Sequence, residues 1–461
     1  MSKAEFEAVG MKLIKRERMK GKRTMRDCVV TLRFTDEDGA GVALKPYQTV
    51  DCDYSEGVLK TVPEWEPVLR SSGRQYQCNL NNALEVGGRK IDNGEGGYEE
   101  VYFITSRTGS IYLFRKDADA FYCVVANRGR LEYIPVKSID GQQLMYCTDQ
   151  GFLVGDTRWS YNEVLSDDTL AAGAFFKHRF FVAMKNGGIR YSAPEDFVDL
   201  SESVDDGGFI QFPNCGGDII SMKVFEDTLY VFFQNGIMRL TVGGDPSQFY
   251  AEKLDYTGGD IFYRTICVCQ HAIYFLARGG MYRLKGKKTE RLPLQAVFPT
   301  VETGVEGCAV WQDRPMIRYQ EADGTFKTIV VARDGKSAFF MSGLNLLGRS
   351  DDGSALFTDH MNGLCRLVEK GTKWYNGSFL AEETDFGVAG KKLLCGLRFR
   401  GEGTFTLTMK VNGRTVTREM AFENGVAEWE MAERGEKFAF GFALGRASKI
   451  TDMQATFKRR I

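Results

Sequence analysis

Histidine and proline are scarce in this 461-residue chain, with 3 and 10 copies. The histidines, His178, His271 and His360, leave little material for an imidazole-based metal centre, and each reads as a structural or surface residue. Long apolar runs are missing too. The longest, such as Leu229–Phe233, are strand-length and fall far short of the ~18 residues that span a bilayer. No apolar segment follows the basic N-terminal stretch, so no signal peptide is expected. No Cys-x-x-Cys occurs. The eleven cysteines (Cys28, Cys52, Cys78, Cys123, Cys147, Cys215, Cys267, Cys269, Cys308, Cys365 and Cys395) are an odd number scattered singly. Their one close pair, Cys267-x-Cys269, sits in the apolar run Thr265–Cys269. They read as reduced, mostly buried thiols of a chain folded in a reducing compartment. No charge of one sign dominates: 60 Lys+Arg oppose 61 Asp+Glu, giving a net charge of -1 and a pI near 6.4. A domain that binds nucleic acid over its bulk surface usually has a pI above roughly 9, so that class drops out.

What the chain does have is glycine and aromatic residues: 51 Gly, 33 Phe and 19 Tyr. Glycines between aromatic-rich segments predict short strands joined by tight turns. At 43% hydrophobic and 26% charged residues, composition is that of a globular protein, and the length allows two or three domains. Residues 100–370 carry an internal repeat. Its clearest copies are Leu229–Leu240 around Gly236, Ile273–Leu284 around Gly280 and Ala355–Leu367 around Gly363. Each reads as an apolar strand, a turn ending in Gly, and a strand opening with Gly, two residues, then Arg-Leu. Looser copies are Val101–Phe114, Leu144–Val154, Phe180–Tyr191 and Pro315–Val331, around Gly109, Gly151, Gly188 and Gly324. The glycine is expected to supply the positive φ of a hairpin turn. The marker glycines lie 37 to 48 residues apart, the spacing of four-stranded propeller blades, and seven markers predict about seven blades. Each blade packs both faces on its neighbours, which explains runs such as Tyr230–Phe233. The recurring Arg239, Arg283 and Arg366 are either a functional ring or separate ties to an adjacent blade or loop.

The repeat stops after Lys373–Asn376. Beyond it the sequence predicts strands Leu393–Phe399, Phe405–Val411, Arg414–Phe422, Ala427–Met431, Phe438–Leu444 and Met453–Lys458, with Asn412-Gly413 and Asn424-Gly425 as hairpin turns. The fold class is therefore all-β: a β-propeller of about seven blades with a C-terminal β-sandwich. The expected division is 1–75 as a basic arm with lead-in strands, 76–378 as the propeller and 379–461 as the sandwich. Helical patterning is weak except in the basic stretch Met11–Arg26. That stretch is open to two readings: a solvated mobile arm, or an arm that pairs with an acidic neighbour or with phosphates.

A search for chemistry finds little. The acidic pairs Asp167-Asp168, Asp205-Asp206 and Asp351-Asp352 lie in Gly/Ser-rich stretches, where Asp serves turns. Ser350–Gly353 resembles the Asp-box of sialidase-like propellers, but the Asp–Gly spacing is one residue short and the Trp is missing. No phosphate loop, nucleophile elbow, Trp-Asp or Gly-His dipeptide occurs. No catalytic, cofactor-binding or metal-ligating residue is assigned, no cofactor is expected, and the chain is not read as an enzyme.

Five stretches resemble the packaged-DNA stabilisation proteins of short-tailed bacteriophages, also called tail hub or tail nozzle proteins. They are Ser55–Pro63, Gly188–Phe197, Gly217–Leu240, Gly258–Leu284 and Gly441–Phe457. The resemblance implies a virion structural protein, assembled in the bacterial host cytoplasm and located in the virion tail. It implies a homohexameric ring below the portal and adaptor that retains packaged DNA and conducts it on ejection. Double-stranded DNA would pass without sequence specificity, and no membrane is involved. Closed sheets suit such a part because few edges are left open, and near-neutrality avoids tight phosphate binding. Two rival readings are a carbohydrate-binding or glycosidase-like propeller and a cytoplasmic protein-interaction propeller.

Overall fold

The computed structural model describes residues 11–17, 25–35, 41–62, 64–69, 83–92, 97–106, 110–115, 120–125, 131–138, 141–148, 151–155, 161–164, 170–184, 187–195, 200, 207–212, 215–294, 307–321, 323–345, 347–350, 354–359 and 363–460. Among them the regular structure is strand, apart from short 3-10 turns at Pro246–Gln248 and Tyr263–Thr265. The chain divides into two compact units. One is Glu66–Lys336 with Gly343–Leu367; the other is Met1–Trp65, Ser337–Ser342 and Val368–Ile461.

The first unit is a β-propeller of seven blades. Blade one is Ala83–Asp92, Tyr98–Ser106, Ile111–Arg115 and Ala120–Val125. Blade two is Leu131–Ser138, Gly141–Thr148, Gly151–Gly155 and Tyr161–Val164. Blade three is Leu170–Phe176, Arg179–Met184, Gly188–Tyr191 and Gly208–Gln211. Blade four is Ile219–Phe225, Thr228–Phe233, Gly236–Thr241 and Tyr250–Lys253. Blade five is Cys267–Val268, Ile273–Ala277, Gly280–Lys285 and Lys288–Arg291. Blade six gives this unit Gly307–Trp311, Arg314–Gln320 and Phe326–Val331. Blade seven is Leu347–Ser350, Ala355–Asp359 and Gly363–Val368, completed by Glu64–Leu69 from the other end of the chain. A strand borrowed from far along the sequence thus closes the ring. Each of the seven glycine-marked copies is the second-to-third-strand hairpin of a different blade.

Packing follows from period-two alternation in strands buried on both faces. Leu229, Val231 and Phe233 pack with Phe181, Ala183 and Ile189 of blade three. The intervening Tyr230 and Phe232 pack with Ile273 and Phe275 of blade five. All six residues of Thr228–Phe233 are buried, and full burial of a Leu or Phe side chain contributes about 1.5–3 kcal/mol.

The marker glycines are required for more than one reason. Gly280, Gly324 and Gly363 have φ of 122°, 86° and 79°, where L side chains are strained. Gly236 lies outside that region. A Cβ there would overlap the Cys215 carbonyl oxygen, so close backbone approach selects glycine at that turn.

The second unit is a sandwich of two sheets. One runs Met11–Glu17, Met25–Arg33, Lys449–Arg460, Lys392–Glu402, Val426–Gly435, with Val42–Ala43, Cys52–Asp53 and Leu59–Thr61 attached. The other runs Arg414–Ala421, Thr404–Val411, Ala439–Leu444, Gly377–Ala381, Pro46–Val50. Asn412 and Asn424 adopt φ of 47° and 53° before Gly413 and Gly425, as tight hairpin turns require. Phe34 from the N-terminal part packs edge-on against Phe379 and Phe442, with ring centroids 5.4 and 5.6 Å apart.

Two expectations change. The division at 75/76 and 378/379 moves to 65/66 and 367/368, because strands from both ends of the chain build one sandwich core. Within the basic stretch, Met11–Glu17 is neither a free arm nor a helix. It is an antiparallel strand with Met11 opposite Val30 and Leu13 opposite Cys28, both partners buried. Residues 18–24 lie outside the described residues.

Candidate functional site

The sequence assigned no site, and its nearest candidates largely fall away. His360 and the pairs Asp167-Asp168, Asp205-Asp206 and Asp351-Asp352 lie outside the described residues. His178 sits in a turn, at φ 60°, and pairs with Glu195. The three repeat arginines do not form a ring. Arg239 lies opposite Glu252, and Arg283 opposite Glu290 at 3.0 Å, each pair joining the third and fourth strands of its blade. In blade seven the acidic partner comes from the borrowed strand: Arg366 bonds Glu66 at 2.7 Å and also reaches Glu100 of blade one at 3.3 Å.

Reactive groups do converge at the inner ends of blades five, six and seven. His271 occupies the turn before Ile273–Ala277, and Asp313 the corresponding turn of blade six, at φ 58°. Asp313 accepts from the Gln270 backbone N–H through Oδ1 and contacts His271 Nδ1 through Oδ2 at 2.7 Å. His271 Nε2 lies 2.7 Å from the Tyr274 hydroxyl. A proton on Nδ1, held by the carboxylate, leaves Nε2 to accept from the Tyr274 O–H. This is the geometry of an oriented general base, but Tyr274 has 0% exposure. Burial pushes its phenol above the ordinary value. With its hydroxyl sealed from any substrate, the Tyr274–His271–Asp313 chain acts as a clamp between two blades.

The thiols lie beside it. Cys267 and Cys269 are buried and Cys308 is half-buried, and all three are free. Cys267 Sγ points to the Ala309 carbonyl, and Cys308 Sγ to the Ile266 carbonyl, each at 3.7 Å. Arg349 of blade seven is exposed and reaches the Val268 carbonyl at 3.4 Å. Burial pushes the Cys267 and Cys269 thiols upward, while the Arg349 charge opposes that shift. Among the described residues no group of three or more His, Cys, Asp or Glu is arranged to hold a metal ion. Cys267-x-Cys269 was visible in the sequence, but Cys308 and Arg349 carried no signal there because blades bring them together from 41 and 82 residues away.

Similar links recur between blades. Lys177 bonds Asp227 at 2.8 Å between blades three and four, and the Tyr230 hydroxyl donates to the Gly286 carbonyl at 2.8 Å between blades four and five. At the ring closure the innermost strands of blades seven and one pair directly, with Arg349 opposite Gly87 and Ser350 opposite Gly88 in parallel. Gly348 permits this approach, since a Cβ there would overlap the Val86 carbonyl oxygen.

No protein-family model matches the chain, and no curated protein does. Similar solved structures include the WD40 domain of Neurospora crassa Pan2, at 10% identity and a TM-score of 0.46, covering 68% of this chain and 98% of that one. Another is the extracellular domain of the putative hybrid two component system BT4673 from B. thetaiotaomicron, at 13% identity and a TM-score of 0.39, covering 73% of this chain and 43% of that one.

Proposed function

We propose that this chain is a ring-forming structural protein, the tail hub or nozzle of a short-tailed bacteriophage, and not an enzyme. The five resembling stretches motivate the family, and the two ends of one sandwich sheet support the ring. That sheet terminates in Met11–Glu17 at one edge and Val426–Gly435 at the other, and among the described residues neither edge strand has a second partner. The first carries Lys12, Lys15 and Arg16 against Glu17; the second carries Glu428, Glu430 and Glu433 against Arg434. Opposite edges of opposite sign favour joining the basic edge of one copy to the acidic edge of the next. Like-to-like pairing would set equal charges side by side. A head-to-tail contact of this kind generates a ring when its rotation closes. Glu428 already faces Arg398 at 3.0 Å and Glu433 faces Arg414 at 3.7 Å. These are partly exposed pairs of the kind worth about 0–1 kcal/mol, and they can exchange for intersubunit partners.

In this reading DNA travels between subunits. Electron microscopy of the purified chain, alone and with the portal–adaptor complex encoded beside it, tests the proposal. A sixfold ring extending the portal is the expected result. A lone propeller that ignores the portal overturns it.

A further inference from the structure

We propose that Cys267 and Cys308 are an oxidative cross-link site that staples blades five and six at the inner wall of the propeller. The two residues stand on neighbouring innermost strands, Cys267–Val268 and Gly307–Trp311. Their hydrogen bonds are reciprocal: each thiol addresses the carbonyl of the residue next to the other cysteine, both at 3.7 Å. That crossed arrangement sets the two sulfurs side by side. Cys308 is the half-buried member and Cys267, at 2% exposure, the buried one. The guanidinium of Arg349, held at the Val268 carbonyl, places a positive charge beside the strand that carries Cys267.

The chemistry needs a peroxide as oxidant. The Cys308 thiolate attacks one peroxide oxygen, the O–O bond breaks, and the departing hydroxide takes up the one proton the thiol released and becomes water, leaving a sulfenic acid on Cys308. The Cys267 sulfur then attacks the Cys308 sulfur. The S–S bond forms, the S–O bond breaks, and the hydroxyl leaves as water with the Cys267 proton. In total two thiols and one hydrogen peroxide give one disulfide and two waters; both sulfurs are oxidised and both peroxide oxygens reduced. Cys269 follows the same strand, but the reciprocal bonds join the other two thiols. The link stands whether or not the chain forms a ring. It would be absent in a reducing cytoplasm and would form on passage to an oxidising exterior.

The test treats the folded full-length chain with hydrogen peroxide, quenches with an alkylating agent under denaturing conditions and maps the peptides by mass spectrometry. The expected product is a Cys267–Cys308 peptide two hydrogens lighter than its parts, reversed by dithiothreitol. The thermal midpoint should rise by several degrees, on the order of 5 °C. Cys308→Ser should abolish both changes and Cys269→Ser neither. Arg349→Gln should slow cross-linking, roughly 3- to 10-fold, by removing the positive charge beside Cys267. Because Cys267→Ser alters a buried position and can impair folding, Cys308→Ser is the decisive variant. Recovery of Cys308 as a sulfinic acid, a Cys269 link, or free thiols at both positions would overturn the proposal.

Discussion

The propeller and the sandwich are both antiparallel β-structure, yet they are assembled from the chain in opposite ways. Blades one to five are each built from one continuous stretch of chain, so each strand pairs with the strand next to it in sequence. The sandwich joins Met25–Arg33 to Lys449–Arg460, with Val30 opposite Ala455 and Leu32 opposite Met453. Blade seven sits between these cases: three consecutive strands take their fourth from Glu64–Leu69. Local pairing makes a repeat that a sequence displays, whereas distant pairing leaves no period to find. The two units differ in energy as well, because closing a long loop is entropically costly and only burial compensates.

The largest effect expected is from Gly348→Val. A side chain there has no space beside the Val86 carbonyl oxygen, so the ring closure should fail and cost more than the roughly 1–3 kcal/mol of ordinary overpacking. Urea denaturation would read it, and a change below about 1 kcal/mol would contradict the closure described. Next come paired deletions in the two cores. Phe34→Ala in the sandwich and Phe232→Ala in blade four each remove a fully buried ring and should each cost about 3–5 kcal/mol. Hydrogen exchange separates them. The first should loosen Gly377–Ala381 and Ala439–Leu444, which Phe34 meets through Phe379 and Phe442; the second should loosen blades four and five, through the contact of Phe232 with Phe275.

Smaller changes probe the individual links. His271→Ala should cost about 0.5–1.5 kcal/mol, since it removes one of the hydrogen bonds of a buried tyrosine hydroxyl that Arg283 also contacts; an unchanged urea midpoint would argue against the clamp. Glu66→Gln at the ring closure should cost less, about 0.5–1 kcal/mol, because the pair is partly solvated. The smallest effect is acid dependence in both units. Hydrogen bonds from Arg446 and Arg283 hold the Glu64 and Glu290 carboxyls below the ordinary carboxylate range. Each therefore favours the folded state above its unfolded pKa, and that contribution is lost as pH falls through the lower folded value. Glu64→Gln and Glu290→Gln should make acid destabilisation shallower, as read by melting from pH 6 downward. A steeper loss would reverse the sign assigned here.

Much of this was legible in the sequence. Seven glycine-marked hairpins gave seven blades, and all six C-terminal strands are present, several of them longer than expected, as with Val426–Gly435 against Ala427–Met431. Lead-in strands were expected within 1–75 but without positions or partners, because short pieces such as Leu59–Thr61 have no period to detect and pair with Lys449–Arg460, almost 400 residues away. The site was less legible. Cys308, Asp313 and Arg349 look ordinary until adjacent blades set them beside Cys267 and His271.

Strand identity, turn position and blade count are written locally, because side-chain alternation and Asn-Gly or Gly turn chemistry act over a few residues. Tertiary structure decided which distant strand closes blade seven, which ends of the chain share one hydrophobic core, and which thiols face one another. Those outcomes depend on burial and close approach between segments far apart in the chain, and no stretch of sequence encodes them alone.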